Sequence, residues 1–478
     1  MRRAGVAALL GLTISSCALG PDYQRPELPV PPAWRELPPG EAESLANTPW
    51  WELFRDPVLL ELIRTALSEN RDLKLATERL EEARIRQGFV RADALPQLTA
   101  TAGAARVQPS AKGLIAAPDA PDRPLYVAQA AVSWELDIFG RVRRASEAQR
   151  ALFLATAHAR RGVVLALVGD VARAYVELRD FERRLEIARR TLASRLDALK
   201  VARDRFEGGL TGELDLRQAE AESHRTQSLV YGFEVAVAQK ENELALLLGR
   251  SPGPLGREGG LPELSAEVPP GLPSELLERR PDICQAEELL HAATADIGQA
   301  RALLFPRLAL TGSYGWESTD LGDVGTRPAQ AWSLAANLLQ PIFQGGRNRR
   351  RIEIAESRQR QALYAYEQTV LLALREVEDS LVGHRKATEQ RPSEGRRVEA
   401  ERHVLELAEL RYRGGVSAYL EVLDAQRSLL GAELEERRAV RDHLVSLIRV
   451  YKALGGGWVP EPAGAAAGAP AVQAPYFD

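Results

Sequence analysis

The sequence predicts an internally duplicated chain that joins four membrane-type β-strands to very long α-helices. Three observations predict it. The stretch RFEGGLTGELDLRQAEAESH at 205–224 recurs in pattern as RYRGGVSAYLEVLDAQRSLL at 411–430. Alternating segments rich in small residues follow Pro96 and Pro306, and long helical patterns follow Gly140 and Gly346.

Within the repeated stretch Arg205 matches Arg411, Phe206 matches Tyr412, Gly208 and Gly209 match Gly414 and Gly415, and Thr211 matches Ser417. A glycine pair followed by Thr or Ser stops one helix and can cap the next, so each copy reads as the tip of a helical hairpin. Upstream, Asp72, Ala76, Leu80, Ala83, Gly88, Arg91, Pro96 and Leu98 recur as Asp282, Ala286, Leu290, Ala293, Gly298, Arg301, Pro306 and Leu308. The offset is 210 residues there and 206 at the tips, so a small length change lies between. Two copies argue for duplication, with halves at 55–250 and 272–456.

The chain has 478 residues, enough for two or three domains by length alone, but the repeat favours one double-unit body. Its 62 basic and 66 acidic side chains are interspersed and sum to −4, which leaves no nucleic-acid footprint.

Residues 1–16 carry Arg2 and Arg3 and then an apolar run to Ile14, the layout of an export signal and too short for a spanning helix. Ile14-Ser15-Ser16-Cys17 resembles a bacterial lipobox, which makes Cys17 the first mature residue and the site of a covalent lipid. Each buried CH₂ of that lipid adds about 0.8 kcal/mol of anchoring. Ala18 in place of Asp fits sorting to the outer membrane, as the lipoprotein resemblance implies; the alternative is an ordinary signal peptide with an incidental cysteine. Residues 17–54 are rich in proline and extend over a surface. The other cysteine, Cys284, lies on an apolar helical pattern and reads as a buried thiol. The six histidines are scattered without ligand spacing, so neither a metal nor another cofactor is expected.

Two helices are expected before Pro96, interrupted near Asn70. Period-2 alternation then predicts strands at about 97–105 and 125–139, and again at about 308–316 and 331–343. Small residues with alternation suit one lipid face and one polar face, although two soluble hairpins would read alike. From Arg141 to Phe206 there is no proline, and a continuous helix of that length spans about 100 Å. Its return arm runs from about Gly212 to Gly249. The second pair covers Arg347 to Tyr412, with a break expected near Pro392, and Ala418 to Leu454. Their narrow apolar stripes need partners along the helix, as in coiled-coil packing. Residues 460–478, rich in Ala, Gly and Pro, read as a disordered tail.

Four antiparallel strands cannot span a bilayer alone, because their edges would expose unpaired backbone groups to hydrocarbon. Three chains would close a twelve-stranded barrel and gather the long helices into a helical barrel of twelve rods. CALGPDYQRP at 17–26, the PW and FRDP elements near 49–57, ERRPDI at 278–283, FP at 305–306 and both tips together resemble the outer membrane efflux protein family, most closely its lipoprotein branch. The resemblance implies a homotrimer with a β-barrel in outer-membrane lipid and a coiled-coil tunnel in the periplasm. It also implies a periplasmic adaptor docked on the tips and an inner-membrane RND transporter beyond it. No nucleotide-binding loop is present, so energy must come from that partner.

Leu420, Glu421 and Asp424 can share one helix flank, and a threefold assembly would turn each into a ring. Leu420 would constrict the pore, and the two acids would bind cations. The resemblance places Asp424 at a pore-acid position, Glu421 at a second, and Asp215 at the matching site of the first repeat. Many relatives carry Asp where this chain carries Glu421. Arg205 and Arg411 could pair with these acids or with the adaptor, while Gly208, Gly209, Gly414 and Gly415 permit the turns. The reading is a passive export duct for drugs or other small toxic compounds that opens by an iris-like movement of the tip helices. A channel for type I protein secretion or for metal efflux is the alternative within the fold, and a pore-free, lipid-anchored coiled-coil scaffold is the alternative outside it. No nucleophile, base and orienting acid form a set, so an enzyme is not expected.

Overall fold

The computed structural model describes residues 18–35, 56–108, 123–255 and 273–456. The expected signal sequence, the expected lipid site Cys17 and the C-terminal tail lie outside the described residues.

The first helices among the described residues are α1 (Pro57–Glu69) and α2 (Arg71–Ala92). Asp56 caps α1, accepting from the Val58 and Leu59 amides at 2.8 and 3.1 Å, with Pro57 in the first turn where no amide is needed. Asn70 ends α1 and begins α2. Its amide donates to Ala66, its Oδ1 accepts from Leu73 at 2.9 Å, and its Nδ2 donates to the Leu247 carbonyl at 2.9 Å.

Then come β1 (Gln97–Val107), β2 (Arg123–Leu136), α3 (Arg141–Glu207) and α4 (Glu213–Leu247). The second half repeats the plan with α5 (Leu276–Arg279), α6 (Pro281–Ala302), β3 (Arg307–Ser318), β4 (Gln330–Leu339), α7 (Arg347–Arg413) and α8 (Tyr419–Ala453). Helices α3 and α7 each have 67 residues, and α4 and α8 each have 35. The offset between halves is 210 residues at the start of β1 and β3 and 206 at the start of α3 and α7, so the length change falls within the hairpins.

Two compact units form from this order. The first takes the described residues within Met1–Glu27, Arg79–Ala157 and Gln285–Glu367, and so holds the sheet. The second takes those within Leu28–Glu78, His158–Cys284 and Gln368–Asp478, and so holds both hairpin tips.

In the first unit the strands form one antiparallel sheet in the order β1-β2-β3-β4. Leu98, Val132, Gly312 and Leu334 stand in one row across it. Because side chains alternate, the face sharing that row also carries Tyr126, Trp134, Leu310, Tyr314, Trp316, Trp332 and Leu338. The other face carries Thr99, Thr101, Gln129, Ser133, Thr311, Ser313, Ser333 and Asn337. Ser313 and Ser333 share a hydrogen bond of 2.8 Å, and Asn337 donates to Thr311 at 3.1 Å. One face is apolar with aromatic residues towards its ends and the other polar, the pattern of a transmembrane barrel strand.

The return strands stop earlier than the alternation suggests. After Leu136 the Ile138 amide turns back to the Leu136 carbonyl at 2.8 Å, and the Asp137 carboxylate accepts from the Arg143 amide at 2.8 Å. Two residues after Leu339 comes Pro341, which has no amide proton for a ladder.

An extended strap, residues 18–27, crosses this unit. Buried Arg144 holds it, donating to the Leu19 carbonyl at 3.1 Å and to Asp22 at 2.7 Å. Tyr23 stacks on His291 at 4.7 Å, and Arg25 pairs with Glu287 at 2.6 Å.

In the second unit the core comprises Leu59, Ile63, Val171, Tyr175, Leu244, Leu248, Ile283, Leu447 and Val450, all buried. Arg280 of the ERRPDI stretch is buried and donates to the Ala453 carbonyl at 2.9 Å, to Asp282 at 2.7 Å and to Glu376 at 2.8 Å. It thereby ties the end of α8 to α7. Cys284 is half-buried instead of fully buried, because Ile283 beside it takes the inward position.

The break expected at Pro392 is absent: α7 runs through it. A proline in a helix costs about 3 kcal/mol, chiefly one lost hydrogen bond and a clash. Contacts with α8 lie before it, where His384 meets Ser446 at 2.9 Å and Thr388 meets His443 at 3.2 Å. Beyond it Val398 is buried and Arg402 lies 3.7 Å from Glu433, so α7 is held on both sides of the proline.

A Cβ at Gly315 would lie 2.2 Å from the Ala128 carbonyl oxygen, whereas one at Gly103 would meet nothing within 4 Å. Gly315→Val is therefore expected to cost about 2–3 kcal/mol by overpacking the β2–β3 pair, and Gly103→Val less than about 0.5 kcal/mol. Thermal loss of the β signal in circular dichroism checks this; equal midpoints for the two variants would refute the close approach.

Candidate functional site at the hairpin tips

Each tip closes by the same chemistry. Leu210 donates to the Arg205 carbonyl at 2.9 Å and Gly209 to that of Phe206 at 2.9 Å; Val416 and Gly415 do the same to Arg411 and Tyr412 at 2.9 and 3.0 Å. This paired pattern is a Schellman cap, with Gly209 and Gly415 in the left-handed region at φ 70° and 72°. Thr211 and Ser417 do not cap the next helices, contrary to the sequence expectation. The N-caps of α4 and α8 are Gly212 and Ala418, neither with a side-chain hydrogen bond, so the hydroxyl residues stand one position too early.

The start of α8 has two faces. Val422, Leu423 and Ala425 are buried, with Val422 and Ala425 packed against Ala408, Leu405, Tyr412 and Tyr419. Leu420 is 47% exposed, and the side chains of Glu421 and Asp424 are 50% and 64% exposed. The three predicted residues thus share the open face, and buried apolar neighbours fix its direction. Helix registers make Asp215 the counterpart of Glu421, because α4 and α8 begin 206 residues apart; Gln218 stands opposite Asp424.

Polar contacts also bind the tips. Arg205 donates to the Tyr412 hydroxyl at 2.9 Å, with its guanidinium 5.7 Å from the ring centre, and so joins the first hairpin to the second. Arg411 lies 3.3 Å from Glu421. The Ser417 hydroxyl and the Arg411 charge hold the Glu421 carboxyl below its usual range.

A further contact was not foreseen from sequence. Arg427 reaches Glu222 at 2.6 Å and Asp424 at 3.2 Å, so a residue of the first hairpin shares an arginine with the predicted pore acid. Glu222 is only 6% exposed. Burial pushes its carboxyl up, but the hydrogen bond from Arg427 and the charges of Arg427, Arg195 and Arg225 leave it below the usual range. Beside it Arg195, 4% exposed, donates to Gln426, and burial draws its pKa down. Burial also pushes the Tyr419 phenol up, with Asp215 among the carboxylates near it. One signal for Glu222 is present in the sequence: it falls on the stripe formed by Leu216, Ala219, Ser223, Thr226 and Val230, an acid among uncharged buried neighbours.

The outer membrane efflux protein family matches this chain twice, over residues 62–250 and 272–456, one match for each half of the duplication. The chain belongs to the outer membrane efflux protein family. The solvent efflux pump outer membrane protein SrpC of Pseudomonas putida is 36% identical over 459 residues, covering 94% of this chain and 97% of SrpC. SilC of Salmonella typhimurium, described as a probable outer membrane lipoprotein, is 36% identical over 450 residues, 92% of this chain and 96% of SilC. The structure of the outer-membrane channel OprN superposes with a TM-score of 0.86 at 33% identity, covering 92% of this chain and all of that one. The four-stranded sheet and the paired long helices are therefore the barrel and tunnel parts of an efflux-family fold.

The Glu222 carboxyl is depressed on folding, so the stability it contributes is full above its unfolded pKa near 4.3 and is lost as pH falls through the lower folded value. Glu222→Gln should weaken tip closure by about 1–2 kcal/mol, discounted because Arg427 is partly screened by water. Protection of the amides around 222–226 and 422–427, corrected for the intrinsic exchange rate at each pH, should then fall roughly tenfold and no longer change in mild acid. Unchanged protection in the variant would dismiss the ion pair as a tip lock.

Proposed function

We propose that this chain is the outer-membrane duct of a tripartite efflux pump, passively exporting drugs or other small toxic compounds. The observation that carries the reading is a four-stranded sheet, apolar on one face and polar on the other, whose outer strands β1 and β4 each have a single partner among the described residues. Strands of 10 to 14 residues are long enough to cross a bilayer when tilted. Two open edges in hydrocarbon are untenable, so further copies must pair with them. An eight-stranded barrel is filled by its own side chains, whereas twelve strands leave a passage, which favours three copies. A homotrimer is also supported by α3. An 18-residue window of it has a mean hydropathy of 1.5, yet only 22% of that window is buried within one chain, which leaves apolar helix surface for neighbouring copies.

The polar sheet face would line the passage. Its Thr, Ser, Gln and Asn side chains offer hydrogen bonds without fixed charge through most of the strand length, so little is selected there. All four links to helices leave one end of the sheet, since Gln97 pairs with Ser133, Leu136 with Leu308 and Arg307 with Leu339. The helices, studded with ion pairs, belong in water, here the periplasm. Ala18 lies at that same end, the Leu19 amide bonding the Phe139 carbonyl at 3.3 Å, so a lipid on Cys17 would enter the adjoining leaflet.

At the tips a trimer would gather three copies of Leu420 as an apolar constriction and three each of Glu421 and Asp424 as acidic rings, with Asp215 nearby. Leu210, Leu214 and Val416, all exposed, with Arg205, Arg411, Thr211, Ser417 and the glycine turns, would meet a periplasmic adaptor that links the duct to an inner-membrane RND transporter. The duct itself would consume no energy.

Planar-bilayer recordings of the purified, assembled protein test this reading. Small, cation-preferring steps are expected at rest. Asp424→Ala combined with Glu421→Ala should raise the mean resting current about tenfold, corresponding to a shift of ~1.4 kcal/mol in the closed-to-open balance. An unchanged current from a correctly assembled trimer would rule these acids out as the gate.

A further inference from the structure

The two halves treat the start of their long helices differently. In the first, every arginine is neutralised: Arg141 pairs with Glu135 at 2.9 Å, Arg143 with Asp137 at 3.4 Å, and Arg144 with Asp22 at 2.7 Å. At the offset of 206 their counterparts are Arg347, Arg349 and Arg350, and Arg351 adds a fourth. The counterparts of Glu135 and Asp137 are Pro341 and Phe343, so the neutralising acids have been replaced by apolar residues.

The consequence is an unbalanced patch. All four arginines are exposed, the first turn of α7 holds no acid, and no ion pair reaches them among the described residues. Ile342 and Phe343 beside them are 95% and 88% exposed. The patch directly follows β4, whose Trp332, Leu334 and Leu338 lie on the apolar sheet face. Apolar residues continuous with a membrane face, followed at once by arginines, is the chemistry of an interface where acyl chains give way to phosphates.

We propose that Arg347, Arg349, Arg350 and Arg351, with Ile342 and Phe343, bind the headgroups of anionic phospholipids in the periplasmic leaflet. Guanidinium groups match phosphate oxygens in fork geometry, and Ile342 and Phe343 sit at the depth of the first acyl carbons. A neighbouring copy cannot cover the whole patch with one helix. At 100° per residue the four arginines fan around most of the α7 circumference. The helix end of the sheet also selects the source: that leaflet holds phospholipid, and the phosphorylated glycolipid of the outer leaflet lies at the opposite strand ends. The inference rests on the outer-membrane placement and is independent of the gate.

The test uses the full chain reconstituted in phosphatidylcholine vesicles carrying a trace of spin-labelled phosphatidylglycerol or spin-labelled phosphatidylcholine. Electron paramagnetic resonance reports the share of each label held immobile at the protein surface. About a threefold preference for phosphatidylglycerol is expected at low salt, falling to parity near 1 M salt, where the Debye length is about 3 Å. Arg349→Gln/Arg350→Gln/Arg351→Gln should sit near parity at all salt concentrations. Arg358→Gln/Arg360→Gln, about 10–16 Å further along α7 from the three replaced arginines, should keep the preference. Parity in the wild type, a preference that ignores salt, or a triple variant that retains it would each overturn the proposal. Parity in the wild type would mean that the arginines are taken up by a neighbouring copy. Should the triple variant fail to assemble, the wild-type salt titration decides alone. Absence of any immobilised lipid would overturn the membrane reading and this site together, whereas parity between the labels overturns only the site.

Discussion

Backbone hydrogen bonding in hydrocarbon is the constraint on which everything else depends. One chain supplies four strands, so it supplies two edges whose amides and carbonyls have no water to turn to. Nothing inside the chain covers those edges among the described residues, because the helices leave the sheet at one end. The proposed assembly thus answers a requirement set by the backbone, and side chains decide only which way the sheet faces. The small residues follow from it as well. Gly315 lies where the β2 backbone leaves no space for a Cβ, and alanines fill much of β1 and β2.

Duplication explains why the helices match and why their surfaces need not. Equal lengths of α3 and α7, and of α4 and α8, keep the two tips level in register, which lets Arg205 of one reach Tyr412 of the other. Within that frame the halves have diverged. Asp215 and Glu421 hold the same position with different reach, and Gln218 stands where the second half has Asp424, so the acid that shares Arg427 with Glu222 exists in one copy only. The starts of the long helices diverge in the same manner: the arginines of the first half are ion-paired, and those of the second have no ion pair among the described residues.

Features set by local periodicity were legible in the sequence, and features set by partners were not. The strands, the cap region around Asn70 and the glycine turns each follow from residues within a few positions of one another. The face shared by Leu420, Glu421 and Asp424 was readable for the same reason, since helical spacing alone places them together. Thr211 and Ser417 resemble cap residues, yet the Schellman closure shifts the next helix by one residue and leaves them outside it. Pro392 reads as a break because a single helix would suffer there; α8, 40 to 60 residues away in sequence, holds α7 on both sides of it. Glu222 and Arg427 are 205 residues apart, and no local rule pairs them.

The strengths of the tip contacts bear on how the tips can move. Arg411–Glu421 and Arg205–Tyr412 are exposed, and exposed contacts of this kind are weak because water and salt screen them. A docking partner can outbid them with a few new contacts. The packing of Val422 and Ala425 against Ala408, Leu405, Tyr412 and Tyr419 is buried, and disrupting it would cost several times as much. Since that packing joins α7 to α8, the second hairpin should move as one piece. In the proposed opening, the joint that would yield is the one between hairpins, where Glu222 meets Arg427 and Arg195 meets Gln426. That joint is half screened: Glu222 and Arg195 are buried, while Arg427 is partly open to water. Under the proposed reading, a lock of intermediate strength in that position would hold a resting tip closed and would still permit an adaptor to open it, whereas a fully apolar joint would not release and a fully exposed one would not hold.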